Sequence, residues 1–147
     1  MKTSQQGIDL IKKFEGFSVT PYKDIAGLLT IGYGHLILPG EHFGAISSVE
    51  AVALLARDIA EKAEYFVNKF VTVPLTQNEF DALVSFTFNV GGANFQKSTL
   101  LKVLNAGKKE AVKGELLKWD FAGGHKSDAI LQRRLKEAAL FEGNTSP

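Results

Sequence analysis

The sequence predicts an α+β fold in which a small N-terminal antiparallel β-ribbon lobe is joined by a long helix to a larger all-helical lobe. Three observations carry this expectation. Glycine, proline, tyrosine and β-branched residues concentrate in residues 17–38, the stretch that reads as sheet. Beyond it, two Ser/Thr-x-x-Glu capping boxes open long segments of helical apolar periodicity. No strand–helix–strand alternation occurs, which argues against a parallel, nucleotide-binding sheet.

Taken in order, residues 4–14 carry Ile8, Leu10, Ile11 and Phe14 at mostly helical spacing behind the capping candidates Thr3 and Ser4. They predict a short amphipathic helix stopped by Gly16. Pro21, Gly27, Gly32 and Gly34 punctuate the apolar run at residues 28–31 and predict a hairpin or three-stranded ribbon turning near Ala26-Gly27. Such a ribbon needs a helix beside it to be stable. Ser47-Ser48-Val49-Glu50 is the first capping box. It opens a helix to about Phe70, with Val52, Leu55, Ile59, Ala63, Phe66 and Phe70 on one stripe and Arg57, Asp58, Glu61, Lys62, Glu64 and Lys69 largely away from it. Thr76-Gln77-Asn78-Glu79 is the second, and residues 80–90 behind it are apolar on most faces, the mark of a buried central helix. Gly91-Gly92 ends that helix, Ser98 caps a short one to Leu104, Gly107 stops it, and residues 108–119 and 129–141 form two more. Residues 1–147 read as a single domain. Residues of about 14–47 form the ribbon lobe, 48–70 the connecting helix, and 1–13 with 71–147 the helical lobe.

Composition narrows the function classes. Cysteine is absent, which excludes a disulfide framework, thiolate catalysis and cysteine-built metal sites. His35, His42 and His125 are too scattered for a metal cluster, so neither a metal nor another cofactor is expected. A net charge of +1 gives no reason to expect nucleic acid as a partner. That total hides an asymmetry: residues 1–46 balance four basic against four acidic, 47–96 hold three against six, and 97–147 hold ten against six. No signal-peptide pattern and no membrane-spanning run is visible, so stable membrane insertion is not expected.

The carboxylates of the ribbon lobe carry the chemistry. Glu15 ends the first helix between Phe14 and Phe17, and an apolar setting of that kind holds a carboxyl in the protonated form a general acid needs. Nine residues later Asp24 lies beside Lys23 in a polar loop suited to an ionised carboxylate, and six beyond it the hydroxyl of Thr30 can hold a water. Two carboxylates in contrasting environments with a water-orienting hydroxyl are the minimum apparatus for hydrolysing a glycosidic bond. A Glu at a helix end and an Asp before a turn are also commonplace, so residue types alone leave structural roles open.

The surrounding string goes further. Phe14-Glu15-Gly16, Pro21-Tyr22-Lys23-Asp24 and Leu29-Thr30-Ile31-Gly32-Tyr33-Gly34-His35 resemble the T4-type phage lysozymes, the endolysins of glycoside hydrolase family 24. Similar later motifs follow in the family's order: residues 86–92, Phe95 with Ser98-Thr99-Leu100-Leu101, Trp119 with Ala122-Gly123-Gly124, and Arg133-Arg134 with Glu137. The resemblance covers residues from about 4 to 142 and implies a lysozyme-like fold. It implies that Glu15 is the general acid, that Asp24 stabilises the oxocarbenium-like state and positions a water, and that Thr30 holds that water. The implied substrate is the β-1,4 bond between N-acetylmuramic acid and N-acetylglucosamine in bacterial peptidoglycan. It implies a monomer made in the host bacterial cytoplasm, released by a separate holin and acting on the periplasmic wall.

By the same resemblance Leu36, Phe88, Asn89 and Ser98 match positions lining the saccharide cleft. Phe88 reads equally as core, and Asn89 as a residue ending its helix. His35 reads as a structural hydrogen bond to the second lobe or as a titrating group, and one of Arg133 and Arg134 as a partner of Glu15. Two other readings of the whole chain are a lytic transglycosylase cleaving the same bond without water, and a non-catalytic peptidoglycan-binding protein. Residues 123–129 depart from the Gly-Gly-Lys and Gly-Leu pattern common in relatives.

Overall fold

The structure is a computed structural model of the chain, and it describes residues 1–24 and 26–143. Helix α1 (Gln5–Glu15) starts where Ser4 accepts a hydrogen bond from the Gly7 N–H and ends at Gly16. Strands β1 (Ser18–Lys23), β2 (Leu29–Gly32) and β3 (His35–Leu36) form an antiparallel sheet in chain order. Its register pairs Tyr22 with Thr30 and Thr30 with Leu36. Among the described residues, Ile31, Ile46 and Ala51 make a small buried cluster under this ribbon. The ribbon therefore leans on helix α2 (Ser48–Ile59), as its size requires.

The connecting segment is one continuous helical rod with an irregularity the sequence does not announce. After α2 comes a π-helical turn at Ala60–Glu64, and then α3 (Tyr65–Phe70). Leu55, Ile59, Ala63 and Val67 recur every four residues and each is at most 2% exposed. In an α-helix that repeat drifts about 40° per step, because 3.6 residues complete a turn. The wider π turn takes up the drift and keeps the stripe on the core. Two stripe assignments change. Val52 is exposed, and Asp58 is buried because its carboxylate meets His35.

Helix α4 (Gln77–Val90), opened by its Thr76/Glu79 capping box, is the axis of the helical lobe. Phe80, Leu83, Val84 and Phe86 on it are fully buried, each stabilising the fold by about 1.5–3 kcal/mol relative to exposure. Around it pack α5 (Gly92–Lys97), α6 (Thr99–Asn105), a 3₁₀ turn (Lys109–Ala111) leading into α7 (Val112–Leu117), and α8 (Asp128–Phe141). Gly92 thus begins a helix rather than helping to end one. Phe86 meets Phe95 and Trp119 edge-on, at centroid separations of 6.5 and 5.6 Å.

A second sheet corrects the expectation that residues 17–38 hold all the strands. Strands β4 (Phe121–Ala122) and β5 (His125–Lys126) pair in a minimal hairpin. Its two turn residues, Gly123 and Gly124, have φ of 58° and 82°, the left-handed pair that the tight hairpin turn requires. The Ser127 N–H donates to Asp120 O across the hairpin mouth, and its hydroxyl caps α8. The stretch that departs from the family pattern therefore delivers the start of α8, and with it both arginines. Among the described residues, no helix is long and apolar enough to cross a membrane.

Candidate active site

Glu15 sits where the ribbon meets the helical lobe, its side chain 21% exposed. Its Oε2 accepts a hydrogen bond from Arg133 Nη1 at 2.8 Å. Gly34, in the β2–β3 turn, approaches from the other side, and a Cβ there would stand 2.6 Å from Oε1. The expected aromatic walls are arranged differently from the sequence reading. Phe14 lies under the Arg133 guanidinium at 4.7 Å from its centroid, whereas Phe17 turns out to pack on Tyr33 and is 44% exposed. A cation on an aromatic face is a favourable neighbour for a carboxylate as well as for the ring, so the guanidinium takes the place of one apolar wall.

Asp24 and Thr30 are tied together by the backbone of one residue, Leu28. The Leu28 N–H donates to Asp24 Oδ1 at 2.9 Å, and the Leu28 carbonyl accepts from the Asp24 N–H at 2.9 Å and from Thr30 Oγ1 at 3.1 Å. Thr30 is 4% exposed and its hydroxyl hydrogen is committed to that carbonyl, so it meets anything further as an acceptor. Asp24 Oδ2 has no hydrogen bond among the described residues.

Arg133 and Arg134 are both buried, at 4% and 1% exposure, and the question of which meets Glu15 resolves to Arg133. Its Nη2 donates to Ser85 O at 3.0 Å and its Nε to Glu137 Oε2 at 3.2 Å. Arg134 donates to Trp119 O at 3.0 Å, to Glu137 Oε1 and to Asn89 Oδ1. Burial lowers the pKa of the Arg134 guanidinium from its ordinary value, against which Glu137 works, and an arginine starts so high that it stays charged. Ser85 and Glu137 were not singled out as site residues. The signals were present: an Arg-Arg-x-x-Glu spacing that puts opposite charges on one helix face, and one serine in an otherwise apolar helix turn.

His35 is 2% exposed, its Nδ1 2.7 Å from Asp58 Oδ2 on α2 and its Nε2 3.0 Å from Glu41 Oε1, so its bonds run to the connecting helix and within the ribbon lobe rather than to the helical lobe. Glu41 also accepts from the Leu38 N–H and from Arg57. The Leu38 N–H first, and then His35, hold the Glu41 carboxyl below its usual range. Leu36 is half-buried on β3, opposite Thr30. Phe88 is half-buried against the main core. Ser98 is buried, and its hydroxyl is engaged by Phe95 O and the Leu101 N–H as the cap of α6. Asn89 is exposed beside a cavity of about 490 Å³ lined also by Trp119, Phe121, Lys118 and Arg134.

The sequence profile described as phage lysozyme matches residues 12–137, from the turn of α1 that precedes Glu15 to Glu137 itself. The chain belongs to the phage lysozyme family. It is 42% identical over 143 residues to the endolysin of Bacillus phage B103, an alignment covering 96% of this chain and 54% of that protein. The chain thus spans about half the length of the Bacillus phage endolysins it matches. Among phage lysozyme structures, the endolysin of Escherichia coli O157:H7 phage FAHEc1 superposes with a TM-score of 0.90 at 38% identity, over 100% of this chain and 97% of that one. The muramidase domain of SpmX from Asticaccaulis excentricus superposes with a TM-score of 0.86 at 34% identity, over 99% of each chain. The α+β architecture expected from the sequence is the one these proteins share.

Proposed function

We propose that this phage lysozyme family member is an endolysin: a muramidase that hydrolyses the β-1,4 bond between N-acetylmuramic acid and N-acetylglucosamine in bacterial peptidoglycan and so lyses the host cell. The observations that carry the reading are a carboxyl lodged at the lobe junction, Glu15, and a carboxylate and a hydroxyl both held on the backbone of Leu28, Asp24 and Thr30. Membership of a family of endolysins and a muramidase domain supports it.

In this mechanism Glu15 protonates the bridging oxygen as the bond to the anomeric carbon breaks, and the Arg133 guanidinium meets the charge left behind. Asp24 offsets the positive charge on the sugar ring. Because Thr30 and Asp24 Oδ2 are both acceptors, a water between them donates both its hydrogens and turns a lone pair outward to attack, and the proton it sheds on bonding to the anomeric carbon passes to Asp24. The protein acts as a monomer made in the host cytoplasm, and a separate holin admits it to the wall.

Purified peptidoglycan digested by the protein, with products read by mass spectrometry, tests the proposal. New reducing-end muramic acid is expected, and its rate should fall by about a thousandfold or more in Glu15→Gln, since an acid's proton and its position are lost together. Anhydro-sugar products would assign a lytic transglycosylase instead. Wall binding without any product would leave a non-catalytic binder.

A further inference from the structure

Glu137 is a fully buried charge, and the reaction outlined above gives it no part. It is 0% exposed, yet its carboxylate accepts from Ser85 Oγ at 2.5 Å, from Arg133 Nε at 3.2 Å and from Arg134. Burying such an ion triad costs desolvation that apolar side chains of similar volume would avoid, so stability alone is a poor reason for it. Its geometry supplies another. Ser85 grips the assembly twice, its hydroxyl on Glu137 and its carbonyl on Arg133 Nη2. Two of the three donor directions of the Arg133 guanidinium are thereby locked to α4 and α8, and the third, Nη1, points at Glu15.

We infer that Glu137, acting with Ser85, is a positioning residue for Glu15: it fixes the orientation of Arg133 and sets the net charge that the acid faces. This rests on Glu15 being the acid of the proposed reaction. As Glu15 gives up its proton it gains a charge, and a guanidinium already locked beside it needs no reorganisation to meet that charge. Among the described residues, α8 brings Arg133 to Glu15 directly, with Arg134 and Glu137 behind it; α4 brings the uncharged Ser85, the ribbon brings the Gly34 turn and Asp24, the second carboxylate of the proposed reaction, and its own helix adds Lys12, which lies over Tyr33. Two guanidinium charges against one carboxylate leave the cluster singly positive, and neutralising Glu137 makes it doubly so.

Glu137→Gln keeps the size and removes the charge. With reducing ends from purified peptidoglycan as the assay, the alkaline limb of the kcat/KM profile, where the acid loses its proton, should move down by about one pH unit. In the same variant kcat should fall about tenfold at little-changed KM. Glu137→Asp restores the charge one methylene short, so its alkaline limb should return to the wild-type position while kcat stays about tenfold low. Glu15→Gln, run alongside, separates the two claims. If it remains active, the acid assignment fails whatever Glu137 does. If it is inactive while folded Glu137→Gln keeps both the wild-type limb and the wild-type kcat, the positioning role is overturned. Should Glu137→Gln fail to fold, Glu137→Asp decides, with a wild-type kcat below its melting temperature overturning the role. Should neither fold, Ser85→Ala decides: an unmoved limb with kcat about threefold lower supports the role, and an unchanged kcat overturns it.

Discussion

At the ribbon end of the molecule His35 sits between Asp58 and Glu41, and at the helical end Glu137 sits between Arg133 and Arg134. Both clusters tie elements distant in sequence through a buried side chain held between two charged partners. They differ in where they end. The His35 cluster runs out through Glu41, 23% exposed, to Arg57, 50% exposed, so its last charge is shared with water. The Glu137 cluster ends on the Asn89 side chain on one side and on the Glu15 carboxyl on the other. A chain of charges that drains to bulk solvent can only hold two surfaces together. One whose outlet is a carboxyl can also pass orientation and charge to that carboxyl.

Substitutions at the two ends should separate these roles. The largest effect is expected from Arg133→Met, which leaves Glu137 with one guanidinium and Glu15 with none; stability in urea should fall by about 3–5 kcal/mol, along with turnover. A loss below about 1 kcal/mol would place this cluster on the same footing as a surface pair. Asp58→Asn should cost about 1–3 kcal/mol by leaving a buried ring nitrogen of His35 poorly matched, while kcat of the folded protein stays near wild type. A collapse of kcat there would break the distinction. Glu41 adds a pH signature of smaller size. Its folded-state pKa is depressed, so the stability it contributes is full above the ordinary carboxylate range and is lost as the pH falls through the folded value. Glu41→Gln should flatten the acid side of the melting-temperature profile, and an unchanged acid slope would remove Glu41 from the account. The smallest effect belongs to Arg57→Ala, below about 0.5 kcal/mol and absent in high salt.

The fold was legible where local chemistry sets it. Ser4, the Ser47/Glu50 and Thr76/Glu79 boxes and Ser98 mark helix starts, because a cap is satisfied within three residues. Strands β4 and β5 were not legible, since two residues cannot display an alternation, and only the Gly123-Gly124 pair hinted at the turn. The π turn was hidden because a four-residue apolar repeat reads as an ordinary helical stripe until its drift is followed over several turns. For the site, Glu15, Asp24 and Thr30 stand close enough together in sequence to be noticed as a set. Arg133, which donates to Glu15, lies 118 residues away, and Asp58 is buried by a histidine 23 residues before it. Burial of a charge is decided by what arrives opposite, and one chain's periodicity does not record that.

Gly34 carries a consequence for how this protein can be altered. Its φ of 73° already disfavours a side chain, and the Glu15 oxygen fills the space a methyl group would need. Backbone and acid thus make the same demand for independent reasons, and relaxing one leaves the other in force. Tyr33 and His35 on either side offer side chains to redesign; position 34 offers none. What the chain encodes there is a vacancy about the size of one methyl group, kept so that a carboxyl oxygen has somewhere to be.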